Sequence, residues 1–168
     1  TAGFCAETQV IATVLSADQQ NDPDVLALTG ASCALSLSDI PFDGPVAGGR
    51  VAYIDGQFVL NPTAKELAGS AMDMIVACTR KAVVMVEGRT DELSEDIVLS
   101  AIFYAFEQLQ PLIDLQENLQ QSNGKAKRAV EQVFVDETLQ AKVWEAAAVG
   151  MDTVISTADK MERGRLYD

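Results

Sequence analysis

Any chemistry in this chain must use carboxylates, Lys, Arg or a bound metal ion, because its 168 residues contain no histidine. Without histidine, neither a Ser-His-Asp nor a Cys-His nucleophilic arrangement can form, and the commonest metal-binding side chain is missing. The chain has three cysteines, Cys5, Cys33 and Cys78, and no two of them form a C-x-x-C pair. Their odd number leaves at least one without a disulfide partner. This favours reduced thiols in a cytosolic protein over a disulfide framework.

Arg50 is the basic residue that we single out as a candidate anion ligand. It follows Gly48 and Gly49, so a guanidinium and backbone N–H groups could converge on one anion. The alternative is a bend permitted by the glycines at the start of a strand, with Arg50 in a surface ion pair. The chain has no G-x-x-x-x-G-K phosphate loop, which favours this alternative.

The charge of the chain argues against nucleic-acid binding by this segment alone. There are 12 Lys and Arg residues against 25 Asp and Glu residues, a formal charge of −13. Such a surface repels phosphate backbones. No apolar run reaches the ~18 to 20 residues of a membrane helix, and no leader pattern is present. Since the chain starts with Thr1 in a Gly-Phe turn, we expect a piece of a longer protein.

The first elements are predicted from hydrophobic pattern and turn residues. Residues 9–16 (QVIATVLS) are rich in β-branched residues and predict a buried strand. Asp22 as N-cap and Pro23 at the first helical position predict a helix to Ser38. Its apolar spacing is more typical of a core-packed helix than of a cofactor site.

Four strands are predicted after this helix. Asp55-Gly56 separates VAYI from QFVL and is the signal of a type I′ hairpin. Residues 72–77 and 82–87 form a second β-rich pair. Four successive strands after a helix predict an α+β fold with a mainly antiparallel sheet.

The rest of the chain is predicted to be helical. Ser94 caps a long helix towards Gln121, and Pro111 should kink or break it. Asp136 caps a further helix, and residues 152–163 form another. The expected buried stripe of the long helix is Val98, Ile102, Ala105, Leu109 and Leu112.

These elements predict three parts: a core domain over 1–121, a linker over 122–128, and the start of an all-helical domain over 129–168. The linker (SNGKAKR) carries the clearest basic patch. A solvated loop is the favoured interpretation of this patch, over an RNA contact. The last part has too little apolar face for a core of its own.

Six stretches follow one another along the chain: ETQVIATVLS (7–16), NDPDVLALTGASCALSL (21–37), IPFDGP (40–45), GRVAYI (49–54), FVLNPT (58–63) and LSED (93–96). In this order they resemble the first ribonuclease PH-like domain of the bacterial polynucleotide phosphorylase family. Residues 129–168, with an Asp-Lys-x-Glu-Arg run at 159–163, resemble the start of that family's helical linker domain.

The resemblance implies a phosphorolytic 3′-to-5′ exoribonuclease, a polyribonucleotide nucleotidyltransferase that degrades mRNA in the cytoplasm. Phosphate attacks the last phosphodiester of RNA and releases a nucleoside diphosphate, with magnesium stabilising the developing charge. Two ribonuclease PH-like domains per subunit build a homotrimeric ring, and an RNA-degradation complex is a further expected partner. No membrane or DNA partner is expected.

The resemblance also implies that this chain has no catalytic residue, no metal and no magnesium of its own. In the family the active site lies in the second domain, whose metal-binding aspartates fall in the region equivalent to 61–77. Asp73 is retained as a vestigial metal position, but Leu67 stands where its partner should be, with Glu66 adjacent. The favoured interpretation of Asp73 is an ordinary outward-facing residue on an alternating strand. Arg50 would mark a vestigial anion site.

The leading prediction is therefore a non-catalytic core domain that supplies scaffold and subunit contacts. Two alternatives stay open. One is an acidic interaction module with no enzymatic parent, and the other is a single-domain ribonuclease PH relative. The helical segment after Gly124 argues against the second.

Overall fold

The computed structural model describes residues 3–130 and 136–167. It divides into two compact units, Gly3–Val130 and Glu131–Asp168. The predicted limits at 121 and 129 stay predictions. The first unit contains α1 (Asp24–Leu37), β1 (Ala47–Ile54), β2 (Gln57–Leu60), α2 (Ala64–Ala68), β3 (Met72–Cys78), β4 (Val83–Thr90) and α3 (Glu95–Asn123), and the second contains α4 (Glu137–Ser156) and α5 (Lys160–Tyr167).

The predicted α+β fold with an antiparallel sheet is confirmed. The four strands lie in the order β2-β1-β3-β4, and every neighbouring pair is antiparallel. Asp55 and Gly56 have φ angles of 49° and 79°. Positive φ at both positions matches the predicted type I′ hairpin between β1 and β2. β4 runs to Thr90, three residues beyond its predicted end.

Helix α3 covers one face of the sheet and closes the core. Ala105 and Leu109 of the predicted stripe are fully buried, whereas its other three members are only partly buried. The most buried positions of α3 also include Ala101, Ile113 and Gln116, which the prediction missed. The buried cluster that these helix residues share with the sheet contains Ala47, Val51, Met72, Met74, Val76 and Cys78.

The predicted break of α3 at Pro111 is wrong, because the helix is continuous from Glu95 to Asn123, whereas the kink stays a prediction. A proline ring removes one N–H and leaves the carbonyl four residues earlier without its helical partner. Pro111 and Glu107 both lie on the exposed side of α3. The freed carbonyl of Glu107 can therefore bind water, which lowers the cost of the proline.

The buried strand predicted over residues 9–16 is also wrong. These residues have no strand assignment, and all eight are exposed, with Leu15 at 93%. Their β-branched composition favours an extended chain, but a strand needs a neighbour for its backbone hydrogen bonds. The described sheet ends at β2 and β4, and neither pairs with residues 9–16.

Residues 122–128 are exposed except for Lys127, in agreement with the predicted solvated loop, and they also contact the end of α1. The first two of them extend α3 to Asn123, and the Lys125 and Arg128 backbone N–H groups donate to the carbonyls of Leu37 and Asp39. Lys127 Nζ donates to the carbonyl oxygens of Leu35, Ser36 and Ser38 at 2.8, 2.9 and 2.7 Å. A cation at a helix C-terminus satisfies carbonyls that have no helical partner.

In the second unit, Asp136 caps α4 as predicted, accepting from the N–H groups of Thr138 and Leu139. The predicted helix over 152–163 is wrong in its bounds. Residues 152–156 end α4, and α5 begins at Lys160. Asp159 Oδ1 accepts from the Glu162 N–H at 2.8 Å, which starts a separate helix. Among the described residues, no helix is long and apolar enough to cross a membrane.

Candidate functional site

Arg50 lies inside β1, not at a bend before it. Gly48 and Gly49 are strand residues, and the absence of a side chain at each makes room for a neighbour. A Cβ on Gly48 would lie 3.0 Å from the Leu28 side chain, and a Cβ on Gly49 would lie 3.0 Å from the Leu109 side chain. These glycines therefore allow α1 and α3 to pack closely on the sheet. The Arg50 side chain is only 14% exposed.

Three aspartates surround the Arg50 guanidinium. Nη2 lies 2.5 Å from Asp24 Oδ2 and 3.4 Å from Asp22 Oδ2, and Nη1 lies 3.2 Å from Asp73 Oδ1. Burial alone would lower the pKa of Arg50, but the hydrogen bond to Asp24 and the three negative charges raise it. The guanidinium is thus held as a cation by protein carboxylates. The vestigial anion site at Arg50 stays a prediction, and any anion would compete with these three groups.

Asp73 reaches Arg50 because of the sheet register. Arg50 lies opposite Ile75 in the β1–β3 ladder, so Asp73, two residues earlier on β3, is its diagonal neighbour on the same face. Asp73 is therefore more than an outward-facing strand residue, because its carboxylate neutralises a half-buried cation. The structure brings the two predicted site residues together.

Glu66, the other acid considered for a metal pair, is also engaged. Its Oε2 accepts hydrogen bonds of 2.7 Å from both the backbone N–H and the hydroxyl of Thr63. Together with the Glu66 N–H donating to Thr63 Oγ1, this forms a capping box at the start of α2. The two hydrogen bonds from Thr63 lower the pKa of Glu66.

These contacts do not suit a magnesium ion. Magnesium requires oxygen ligands at about 2.0–2.1 Å in octahedral geometry, usually including one or two carboxylates. Asp73 is paired with a cation, Glu66 caps a helix, and Leu67 offers no ligand atom. Within residues 3–130 and 136–167, no three or more Cys, Asp or Glu side chains are grouped to hold a metal.

A shallow hollow of about 280 Å³ opens beside the Arg50–Asp73 pair. Two acids and two bases contribute to its lining, so their formal charges cancel and the hollow favours neither an anion nor a cation. The lining residues are Arg50, Asp73, Ile75, Glu87, Gly88 and Arg89.

Sequence reasoning missed the role of Asp22 and Asp24. Asp22 was assigned to the N-cap of α1, but Pro23 occupies that position and the helix begins at Asp24. Asp22 Oδ1 does accept a hydrogen bond from the N–H of Asp24, the first helical residue, at 3.4 Å. The Oδ2 atoms of both Asp22 and Asp24 contact Arg50, and the signal that could have indicated this is the Asp-Pro-Asp sequence, which places one acid on either side of a proline.

Comparison with known proteins identifies relatives that match nearly the whole chain. The chain is 67% identical over 166 residues to the polyribonucleotide nucleotidyltransferase of Desulfotalea psychrophila, covering 99% of the chain and 24% of that protein. Residues 44–108, from before β1 into α3, match the 3′ exoribonuclease family, domain 2. Over nearly its whole length the chain is similar to polyribonucleotide nucleotidyltransferases.

Further polyribonucleotide nucleotidyltransferases match nearly the whole chain as well. The chain is 48% identical over 163 residues to the protein of Nitratidesulfovibrio vulgaris strain DSM 19637 / Miyazaki F, covering 97% of the chain and 22% of that protein. It is 48% identical over 160 residues to the polyribonucleotide nucleotidyltransferase of Geobacter sulfurreducens, covering 95% of the chain and 23% of that protein. The predicted resemblance is confirmed, and the chain spans about a quarter of the length of these relatives. Its place in the first of two tandem domains stays a prediction.

Proposed function

We propose that this chain is a non-catalytic scaffold segment of a phosphorolytic 3′-to-5′ exoribonuclease. Similarity to polyribonucleotide nucleotidyltransferases over nearly the whole chain supports the enzyme class. One observation supports the scaffold role: the carboxylate at the candidate metal position, Asp73, is bound to Arg50. A carboxylate that neutralises an arginine within the fold is a poor ligand for a second cation.

For the whole protein, we propose RNA and inorganic phosphate as substrates and a nucleoside diphosphate as product. Phosphate oxygen would bond to the phosphorus of the last phosphodiester while the bond to the preceding 3′ oxygen breaks. Magnesium bound elsewhere in the protein would stabilise charge on the phosphoryl oxygens. A homotrimeric ring, a role in mRNA degradation, an RNA-degradation complex and a cytoplasmic location complete the proposal, and all rest on the family.

The charge and packing of the first unit agree with a supporting role. Nucleic-acid backbones are bound mainly by clustered Lys and Arg residues. Here the net charge is −13, and Arg50 is already surrounded by carboxylates. Helices α1 and α3 both pack against β1 of the sheet, which suits a segment that supports neighbouring domains.

The test is an assay of the purified chain with poly(A), phosphate and magnesium, with the full-length Desulfotalea psychrophila relative as positive control. We expect ADP release by the relative and none by the chain. ADP released by the chain and absent from a mock purification would overturn the scaffold role. If the relative released no ADP either, the proposed reaction itself would be wrong.

The same assay distinguishes an enzyme segment from an acidic interaction module. The coding sequence on both sides of the chain would be added back, and the extended protein assayed under identical conditions. We expect phosphorolysis to appear with these additions. An extended protein that folds and remains inactive would favour the module.

A further inference from the structure

Residues 124–128, which we name the strap, follow α3 and lie against the C-terminal end of α1. The strap begins at Gly124, whose N–H donates to the Gln120 carbonyl at 2.8 Å. A Cβ on Gly124 would clash with that carbonyl oxygen, so a glycine is needed where the chain leaves α3. The whole strap belongs to the first unit.

Two backbone hydrogen bonds join the strap to the end of α1. The Lys125 N–H donates to the Leu37 carbonyl at 2.9 Å, and the Arg128 N–H donates to the Asp39 carbonyl at 2.8 Å. Leu37 is the last residue of α1, so its carbonyl has no partner within the helix. The strap therefore has fixed backbone partners, unlike a linker that extends freely into solvent.

Lys127 lies between these two hydrogen bonds and supplies three more. Its side chain is partly buried, whereas the other four residues of the strap are exposed. Its Nζ donates to the carbonyl oxygens of Leu35, Ser36 and Ser38, and an ammonium has three N–H donors in all. The full donor capacity of this side chain is thus used at one helix end, where a positive charge is favourable.

Arg128 adds weaker contacts. Its Nε lies 3.2 Å from Asp39 Oδ2, and its guanidinium carbon lies 5.9 Å from the centre of the Phe4 ring. Both members of this ion pair are about half exposed, and exposed pairs contribute little to stability. Lys127 is therefore the principal side chain that holds the strap.

We propose that the strap is a conformational switch latched by Lys127, and that it opens as one unit while the sheet and the body of α3 stay folded. Its hydrogen bonds to α1 and the following turn end on residues 35–39. The buried cluster of the sheet and α3 contains no residue of the strap, all of which the structure describes. A short segment with few buried apolar contacts opens at a lower free energy than the whole fold.

Opening changes the length of chain between the two units. When the strap is closed, residues 124–128 are held on the first unit. When it is open, the same five residues are released, which adds roughly 17 Å of extended chain after α3. The latch thereby sets the reach of the polypeptide that leads to the second unit. It depends on contacts inside the first unit and not on the proposed enzymatic function.

The test is hydrogen exchange at the Lys125 and Arg128 amides of the 168-residue chain, measured by NMR as protection factors corrected for the intrinsic rate of each sequence. We expect both amides to share one protection factor, well below that of Val76 in the core, and to keep it in low urea. Exchange that is insensitive to low urea reports a local opening, because such an opening exposes little surface. Lys127→Met should lower the protection of both amides equally, by at least about fivefold.

Two control variants separate the latch from its neighbours. Lys125→Met keeps the backbone N–H and changes an exposed side chain, so the protection should be unchanged. Asp39→Asn removes only the exposed ion pair and should have a smaller effect than Lys127→Met. An effect as large as that of Lys127→Met would contradict the role of the ammonium as latch.

The unchanged chain alone can also contradict the switch. Strap amides without protection would mean that the strap is always open, and strap amides as protected as Val76 would mean that it opens only when the chain unfolds. Either result would overturn the proposal. So would a protection factor that Lys127→Met leaves unchanged or lowers at one of the two amides only.

Discussion

Arg50 and Asp73 lie diagonally across neighbouring strands, with Arg50 Nη1 3.2 Å from Asp73 Oδ1. The two residues belong to β1 and β3, and Asp22 and Asp24 from the start of α1 complete the group around the guanidinium. One cation thus joins three separate parts of the chain. At the position where a metal site would need a free carboxylate, this chain has an internal ion pair.

The first prediction concerns removal of this cation. Arg50→Met should lower the free energy of unfolding by about 2 kcal/mol, because three carboxylates lose their shared partner in a partly buried setting. Asp73→Asn should cost less, under about 1 kcal/mol, since Arg50 keeps Asp22 and Asp24. Urea unfolding followed by circular dichroism measures both.

The order of these two effects is what tests the geometry. If Asp73→Asn were as costly as Arg50→Met, the shared-cation arrangement would be contradicted. Arg89→Met is a matched control, because this exposed arginine forms no ion pair with a described residue. It should change the monomer's free energy of unfolding by less than about 0.5 kcal/mol.

The second prediction concerns Gln116, a buried amide in α3 that is 3% exposed. Its Oε1 accepts from the Ser32 hydroxyl at 2.8 Å, and its Nε2 donates to the Val46 carbonyl at 3.0 Å. The Val46 N–H donates in turn to Ser32 Oγ at 2.8 Å. This closed set of hydrogen bonds fixes α1 against α3 and the start of β1.

Gln116→Leu should therefore lower the free energy of unfolding by about 2 kcal/mol, because the Val46 carbonyl loses its partner in a buried site. Gln108→Leu, at an exposed position of the same helix, is the control and should be nearly neutral. Equal effects in the two variants, measured by chemical denaturation, would show that the hydrogen-bond set contributes little.

Local patterns predicted the parts of the fold whose causes are local. The Asp55-Gly56 turn, the Ser94 cap and the β-rich runs depend on residues within a few positions of each other, and each was placed to within a few residues. Residues 9–16 show the limit. Their β-branched side chains favour extended backbone, but a strand also needs a neighbour, and that is decided far along the sequence.

The candidate site shows the same contrast between features with local causes and features that depend on long-range packing. Arg50 and Asp73 could each be selected from neighbouring residues, but their contact depends on the register of two strands that are joined through β2 and α2. The approach of Asp22 and Asp24 depends on where α1 sits on the sheet. A single sequence carries no direct signal of that packing, so the carboxylates around Arg50 could not be predicted.

The third prediction concerns the contact of Lys127 with the end of α1. The last turn of α1 contains no basic residue, and the Lys127 ammonium accordingly supplies three hydrogen bonds to carbonyls at and just after that end. Lys127→Met keeps the aliphatic stem and removes the charge. It should lower the free energy of unfolding by about 1 kcal/mol, the size expected for a cation at a helix C-terminus.

Lys125→Met is the matched control, because the Lys125 side chain is exposed and only its backbone N–H contacts α1. We expect no measurable loss of stability in this variant. Hydrogen exchange of the amides at 35–38 gives a second measurement: it should become faster in Lys127→Met alone. Unchanged exchange with unchanged stability would mean that the ammonium contacts are not maintained in solution.

The fourth prediction is a loss of stability at alkaline pH caused by Cys78. This thiol is fully buried in the core at the end of β3, and burial raises its pKa. The unfolded chain exposes the same thiol, which ionises near its usual pKa of about 8.5. Above that pH the unfolded state loses a proton that the folded state keeps, so the contribution of Cys78 to stability is complete below about pH 8.5 and falls as pH rises towards the folded pKa.

Measuring the free energy of unfolding from pH 7 to 10 for the unchanged chain and for Cys78→Ala checks this. The variant should be less stable at pH 7, because it leaves a small cavity, but its stability should fall less steeply with pH. Parallel pH profiles for the two proteins would contradict a buried, protonated thiol. Cys5→Ala, at an exposed position, should leave the profile unchanged.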